Sequence, residues 1–290
     1  MGDTCCAPYS IGAVAKLIES KLGVFVHSVA TGDGEWADQF SGFYGDVNDQ
    51  VARVCAQLRN ISQLAGGYNA VGFSQGGQFL RAVVQRCQHI GPPCRTLVTM
   101  GAQHQGVMNV PGCRTLPLNS SHGMCHLMQS MLGAGAYLPY VRDHVVQAQY
   151  FKDPLRLSEY AAYNPFLPDV NNERPGGAPA RNPQYAANLA NLRRLVLVRF
   201  SEDETVVPRD SAWFSFFDGA SLVPLRELPL YKEDWLGLAR LDRTKRLVFA
   251  EAPGVHMQFS LQWFADNVIT PYLTRPPPKD DYSDDVSASS

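Results

Sequence analysis

The chain has 290 residues, 45% hydrophobic and 18% charged: enough apolar side chain for one sizeable core, and an ordinary globular composition rather than a disordered one. Its 25 basic and 27 acidic residues leave a net charge of −2, which argues against a nucleic-acid binder held by phosphate contacts. No apolar run reaches membrane-spanning length, and the opening Met-Gly-Asp-Thr-Cys-Cys lacks the basic start and apolar stretch of a signal peptide.

Residues 9–22 place Ile11, Val14, Leu17, Ile18 and Leu22 on one helical face, with Gly23 as the stop. Residues 24–29 read as a buried strand, and residues 47–60 as a helix carrying Val51, Val54, Cys55 and Leu58 at helical spacing. A strand over 68–73 runs into a helix over 78–88, and a further buried strand covers 96–100. Between about 102 and 192 the alternation breaks into glycines, prolines and short amphipathic pieces, an insertion expected over the strand ends. Two of its apolar pieces, 128–140 and 163–167, are candidates to line a groove or to pack a small subdomain. Strands resume at 195–200 and 246–250, and a last helix covers 261–273. Alternating strands and helices imply an α/β fold with a mostly parallel sheet and helices on both faces. The expected organisation is one domain over 1–274, with the insertion, and a Pro-, acid- and Ser-rich disordered tail over 275–290.

Gly72-Phe73-Ser74-Gln75-Gly76 sits at the strand-to-helix junction. A strained turn there lifts a serine hydroxyl above the strand end, and glycines two residues to either side remove the bulk that would clash. Free N–H groups at the helix start favour a developing anion, and the backbone N–H of Gln75 is the natural first oxyanion donor. A serine hydroxyl needs a base, usually histidine, and a carboxylate to hold that histidine. In this fold order both partners follow late strands. Of the 7 histidines, His256 alone lies after the strand at 195–200. By position the acid is Glu202, Asp203 or Glu204, with Asp210 a weaker option, and position does not choose among them.

The 7 cysteines include no Cys-x-x-Cys pair, and His122 and His126 flank Cys125 with no clear helix to carry them, so no metal and no cofactor are expected. Sequons occur at Asn60 and Asn119. Cysteines and sequons together tilt toward an oxidising, secretory compartment.

At this point the motifs converge. Met1-Gly-Asp-Thr-Cys-Cys6, the run from Gly67 to Ala82 around Ser74, Gly101-Ala-Gln-His-Gln-Gly-Val107, Gly133-Ala-Gly-Ala-Tyr137, Phe166 to Glu173, Val207 to Phe214 and Val255-His-Met-Gln-Phe-Ser260 resemble the lysosomal palmitoyl-protein thioesterases, α/β-hydrolases, from Met1 to about Leu273. The resemblance implies a Ser74–Asp203–His256 triad and an oxyanion hole from the backbone N–H groups of Gln75 and Met1. It implies the bridges Cys55–Cys87, Cys113–Cys125 and Cys5–Cys6, with Cys94 free. It also implies S-palmitoylated proteins or peptides as substrates, with acyl-CoA as a further acyl donor, and a lysosomal or secreted location. In the family a strand ending Trp-His-Gly precedes the Met1 loop. The expectation is therefore a truncated N-terminus, lacking signal peptide and strand, and a gap of about 10 Å between the strands at 24–29 and 68–73. The motif chemistry alone also fits a lipase, a cutinase-like or an acyl-CoA esterase. A truncated chain that only binds acyl groups is the non-enzymatic alternative.

Overall fold

The computed structural model describes residue 7 and residues 9–108 and 135–274. Within them four strands form one parallel sheet in the order β1-β2-β3-β6: β1 (Tyr68–Phe73), β2 (Cys94–Met100), β3 (Arg194–Phe200) and β6 (Leu247–Ala252). A short antiparallel hairpin, β4 (Phe216–Phe217) with β5 (Leu222–Val223), lies apart from it. The strands are near-continuous apolar runs because both faces are covered. Alternation sorts their side chains: Leu97, Leu195 and Leu197 enter one core cluster, whereas Val98, Val196 and Val198 enter the other.

Three helices show why the sequence builds these layers. α1 (Ile11–Leu22) packs Val14, Leu17 and Ile18 on the valine face, and Gly23, at φ 63°, closes it by donating its N–H to Glu19 O. α2 (Glu35–Ser41) carries exposed aromatic side chains, with Trp36 stacked on Phe40 at 5.3 Å. α3 (Val47–Arg59) begins where the Asp46 carboxylate accepts the Asn48 N–H at 2.7 Å. It lies against α4 (Gln75–Cys87), the helix that follows β1, and the Cys55–Cys87 disulfide joins the two. Beyond residue 135 the chain folds onto this pair, burying Tyr137, Val141, Val146, Tyr150, Phe166 and Leu167 against Val51, Val54 and Phe79.

Three expectations need correction. Residues 24–29 form no strand and take part in no ladder pair; Val24 and Phe25 are each 48% exposed. A β-branched run becomes a strand only where a partner offers a ladder, and among the described residues β1 has β2 as its sole sheet neighbour. The gap expected between two flanking strands therefore has no second strand to define it. The last helix is not a uniform α-helix: α-turns over Leu261–Phe264 widen into a π-helix over Ala265–Leu273. Pro271 lies in that stretch and has no N–H to give to the α-helical ladder. Within the expected groove pieces, Phe166 and Leu167 are fully buried core, while Leu138, Tyr140 and Tyr163 are exposed.

Candidate active site

The parallel register brings the carboxyl ends of the four strands to one rim. Phe73 pairs with Met100, Met100 with Val198, and Phe200 with Ala252. Loops leaving those ends therefore meet, as ligand sites in open α/β sheets do. Ser74 follows β1 directly, at φ 50° and ψ −127°, a conformation that L-residues rarely adopt. Its N–H donates to Met100 O at 2.8 Å, which ties the turn to β2. A Cβ on Gly72 would lie 2.6 Å from Gly76 O and Gly77 Cα, so that glycine is required by close approach. Gly76 is not: a Cβ there meets nothing within 4 Å. The second crowded position is Gly77, whose Cβ would lie 2.6 Å from Ala102 Cβ. The motif spacing predicts that constraint at Gly76, one residue before the position where it falls, because the contact comes from the loop after β2 and not from the turn itself.

His256 Nε2 lies 2.9 Å from Ser74 Oγ, and His256 Nδ1 lies 2.7 Å from Asp203 Oδ2. Asp203 is the one carboxylate of its run to face inward; Glu202 and Glu204 are exposed. Its other oxygen, Oδ1, accepts the N–H groups of Thr205 and Val206, each at 2.9 Å. The Asp203 side chain is 1% exposed, so a buried carboxylate is satisfied on both oxygens. Asp210 is occupied elsewhere, paired with Arg199. The acid and histidine loops are stitched together: Glu202 N–H donates to Gly254 O at 2.9 Å, and Gly254 N–H to Ser201 Oγ at 3.1 Å. Gly101, at φ 62°, makes room for the imidazole, since a Cβ there would lie 3.0 Å from His256 Cε1.

A side chain outside the Ser–His–Asp pattern also reaches the serine. Gln103 Nε2 lies 3.1 Å from Ser74 Oγ. The only sequence signal was its place in the Gly101–Val107 motif. The loop bearing it is held from below by buried polar groups. Lys152 Nζ donates to Gln105 Oε1 at 2.7 Å and to Glu173 Oε1 at 2.8 Å; Ser211 Oγ accepts the Gln105 N–H and donates to Gly106 O. Asn171 Nδ2 donates to His104 O at 3.1 Å, and Arg81 donates to Asn171 Oδ1 at 2.8 Å. Burial pulls Arg81 down to about 9. His104, stacked on Phe214 at 4.4 Å, is held well below its ordinary value by burial and then by the Arg81 charge.

A base hydrogen-bonded to a serine, itself braced by a buried carboxylate, is the constellation of a serine acyl-transfer enzyme. A match to the family described as palmitoyl protein thioesterase covers residues 1–256. The chain belongs to the palmitoyl protein thioesterase family. A Caenorhabditis elegans protein named palmitoyl-protein thioesterase 1 is 43% identical over 277 residues, 94% of this chain and 89% of its own length. A Dictyostelium discoideum protein named palmitoyl-protein thioesterase 3 is 30% identical, over 88% of this chain and 84% of its own. A Drosophila melanogaster protein named lysosomal thioesterase PPT2 homolog is 26% identical, over 81% of this chain and 80% of its own.

For this palmitoyl protein thioesterase family member, the remaining sequence-derived sites divide by position. Gln75 is the first residue of α4, with its side chain buried: Nε2 donates to Gly42 O at 2.9 Å and Oε1 accepts from Tyr150 Oη at 3.1 Å. Cys94 is buried and unbridged, and Asn60 is exposed at the end of α3. Met1, Cys5, Cys6, Cys113, Asn119, His122, Cys125 and His126 lie outside the described residues. Among the described residues, no helix is long and apolar enough to cross a membrane.

Proposed function

We propose that the chain is a serine thioesterase that removes palmitoyl and other long-chain acyl groups from protein cysteines. The observation that carries the reading is the continuous relay Ser74 Oγ–His256 Nε2 and His256 Nδ1–Asp203 Oδ2, at 2.9 and 2.7 Å. Ser74 Oγ attacks the thioester carbonyl while His256 Nε2 takes its proton. Asp203 keeps the histidine proton on Nδ1 and stabilises the imidazolium that forms. The oxyanion is received by the backbone N–H of Gln75, at the start of α4; the family resemblance implies Met1 as a second donor. Collapse expels the cysteine sulfur, whose thiolate is a good leaving group and needs little help from the acid. Water, activated by His256, then attacks the acyl-enzyme and releases the fatty acid.

The substrate class comes from the relatives' names, because the same relay would cleave oxoesters. Acyl-CoA presents the same thioester and is a further substrate under this reading. The lysosomal thioesterase name of the Drosophila relative supports a lysosomal or secreted location. The buried apolar residues between Ala136 and Val170, which share a core cluster with α3 and α4, support the reading of one domain bearing an insertion.

The test is Ser74→Ala in the full chain, assayed on a palmitoylated cysteine peptide and on the matched serine oxoester. Turnover of the thioester should fall at least about 10⁴-fold. Retained turnover overturns the serine mechanism, and faster turnover of the oxoester by the unsubstituted chain overturns the substrate class.

A further inference from the structure

Two nitrogens converge on the oxygen of Ser74: His256 Nε2 at 2.9 Å and Gln103 Nε2 at 3.1 Å. A hydroxyl has one proton and two acceptor lone pairs, whereas an amide N–H can only donate. Gln103 must therefore fill a lone pair of Oγ. That leaves the serine proton to point at His256. Gln103 is 1% exposed, and its Oε1 is buried with no hydrogen-bond partner among the described residues. A buried unpartnered oxygen is a cost, so satisfaction of the carboxamide does not explain its placement. The loop beneath it is fixed through Gln105, His104 and Gly106, which pre-sets the backbone that presents it.

We propose that Gln103 is the group that orients the nucleophile. Its carboxamide N–H holds Ser74 Oγ so that the hydroxyl proton faces the base, and it stabilises the negative charge that grows on Oγ as that proton leaves. The inference rests on the serine mechanism proposed above. The proton moves from Oγ to His256 Nε2. The remaining lone pair of Oγ, the one facing neither Gln103 nor His256, forms the new bond to the acyl carbon; the O–H pair stays on Oγ as a lone pair, and the carbonyl π pair moves to the oxyanion. The lone pair held by Gln103 is not the one consumed, so the contact persists through attack. With the amide reversed, Oε1 would draw the serine proton away from His256. A carboxylate at this position would do the same, and that gives the assignment a pH signature.

The experiment follows the rate at which a fluorophosphonate labels Ser74 in the full chain. It compares the unsubstituted protein, Gln103→Met and Gln103→Glu from pH 5 to 8, with melting temperatures measured alongside. Gln103→Met keeps the side-chain length but has no donor, and should label about tenfold more slowly, the factor set by one neutral hydrogen bond. Gln103→Glu should label near the unsubstituted rate at low pH, where its carboxyl is protonated and donates. Its rate, divided by the unsubstituted rate at the same pH, should then fall as the carboxyl ionises. A flat ratio across that range, or unaltered labelling of Gln103→Met, overturns the inference and leaves the serine mechanism standing. If Gln103→Met does not fold, the pH dependence of the Gln103→Glu ratio decides alone, since division by the unsubstituted rate removes the pH dependence that the two proteins share. Labelling of Ser74→Ala at the unsubstituted rate would instead overturn the serine mechanism.

Discussion

Asp203→Asn isolates the electrostatic part of the relay with almost no change of shape. Asp203 Oδ1 accepts two backbone N–H groups, from Thr205 and Val206, each at 2.9 Å. An asparagine must keep its carbonyl oxygen there, because an NH₂ group would face two donors. Its Nδ2 then faces His256 Nδ1, where a carboxylate oxygen stood at 2.7 Å. Nδ1 becomes an acceptor, the imidazole proton moves to Nε2, and the lone pair that should take the Ser74 proton is gone. Reversing the amide to recover the tautomer breaks the turn contacts instead. The expected loss in kcat is about 10⁴-fold, or about 5.5 kcal/mol of transition-state stabilisation. Steady-state hydrolysis of a palmitoylated cysteine peptide measures it, with the melting temperature as a check on folding. Glu202→Gln and Glu204→Gln, at exposed neighbouring positions, should keep kcat within about twofold. A folded Asp203→Asn that retains more than a tenth of kcat would refute the tautomer argument.

Two further outcomes follow from the same geometry. Gly72→Ala should lower the melting temperature sharply, because its methyl group meets backbone at 2.6 Å, whereas Gly76→Ala should be neutral or stabilising by up to about 1 kcal/mol; equal effects would refute the assignment of the crowded glycine. Stability should also fall as pH drops below the ordinary histidine value of 6.5, because His104 stays neutral when folded and takes up a proton when unfolded. The unfolded state then binds more protons, giving up to about 1.4 kcal/mol per pH unit from this residue. Melting temperatures from pH 7.5 to 5 should decline more gently in His104→Gln, and parallel slopes would contradict the assignment.

How much of this was legible beforehand depended on whether the signal was local. Ser74 announces itself because the elbow's constraints lie within a few residues, and His256 because chain order leaves one candidate. Asp203 could not be chosen from position among three adjacent carboxylates. The choice is made by Thr205 and Val206, whose N–H groups turn one side chain inward. Gln103 was invisible as a site residue because its link to Ser74 runs between two loops, with no periodicity to mark it. The strand expected at 24–29 failed for the opposite reason: its composition was right, but strand formation needs a partner that composition does not supply. Gly77 likewise owes its role to Ala102, a contact across the sheet end.

The relay has a consequence for a chain emerging from the ribosome. Ser74 and His256 are 182 positions apart, and the histidine loop hangs on β6, the strand that completes the sheet beside β3. Until that strand docks, the elbow holds an ordinary alcohol: its base has not yet been delivered, and the acid's turn has nothing to brace. A nascent or partly folded molecule can thus expose a correctly shaped Ser74 to acyl groups without cutting them. Under the proposed mechanism, hydrolysis therefore requires β6 and the loop that follows it to be in place beside β3.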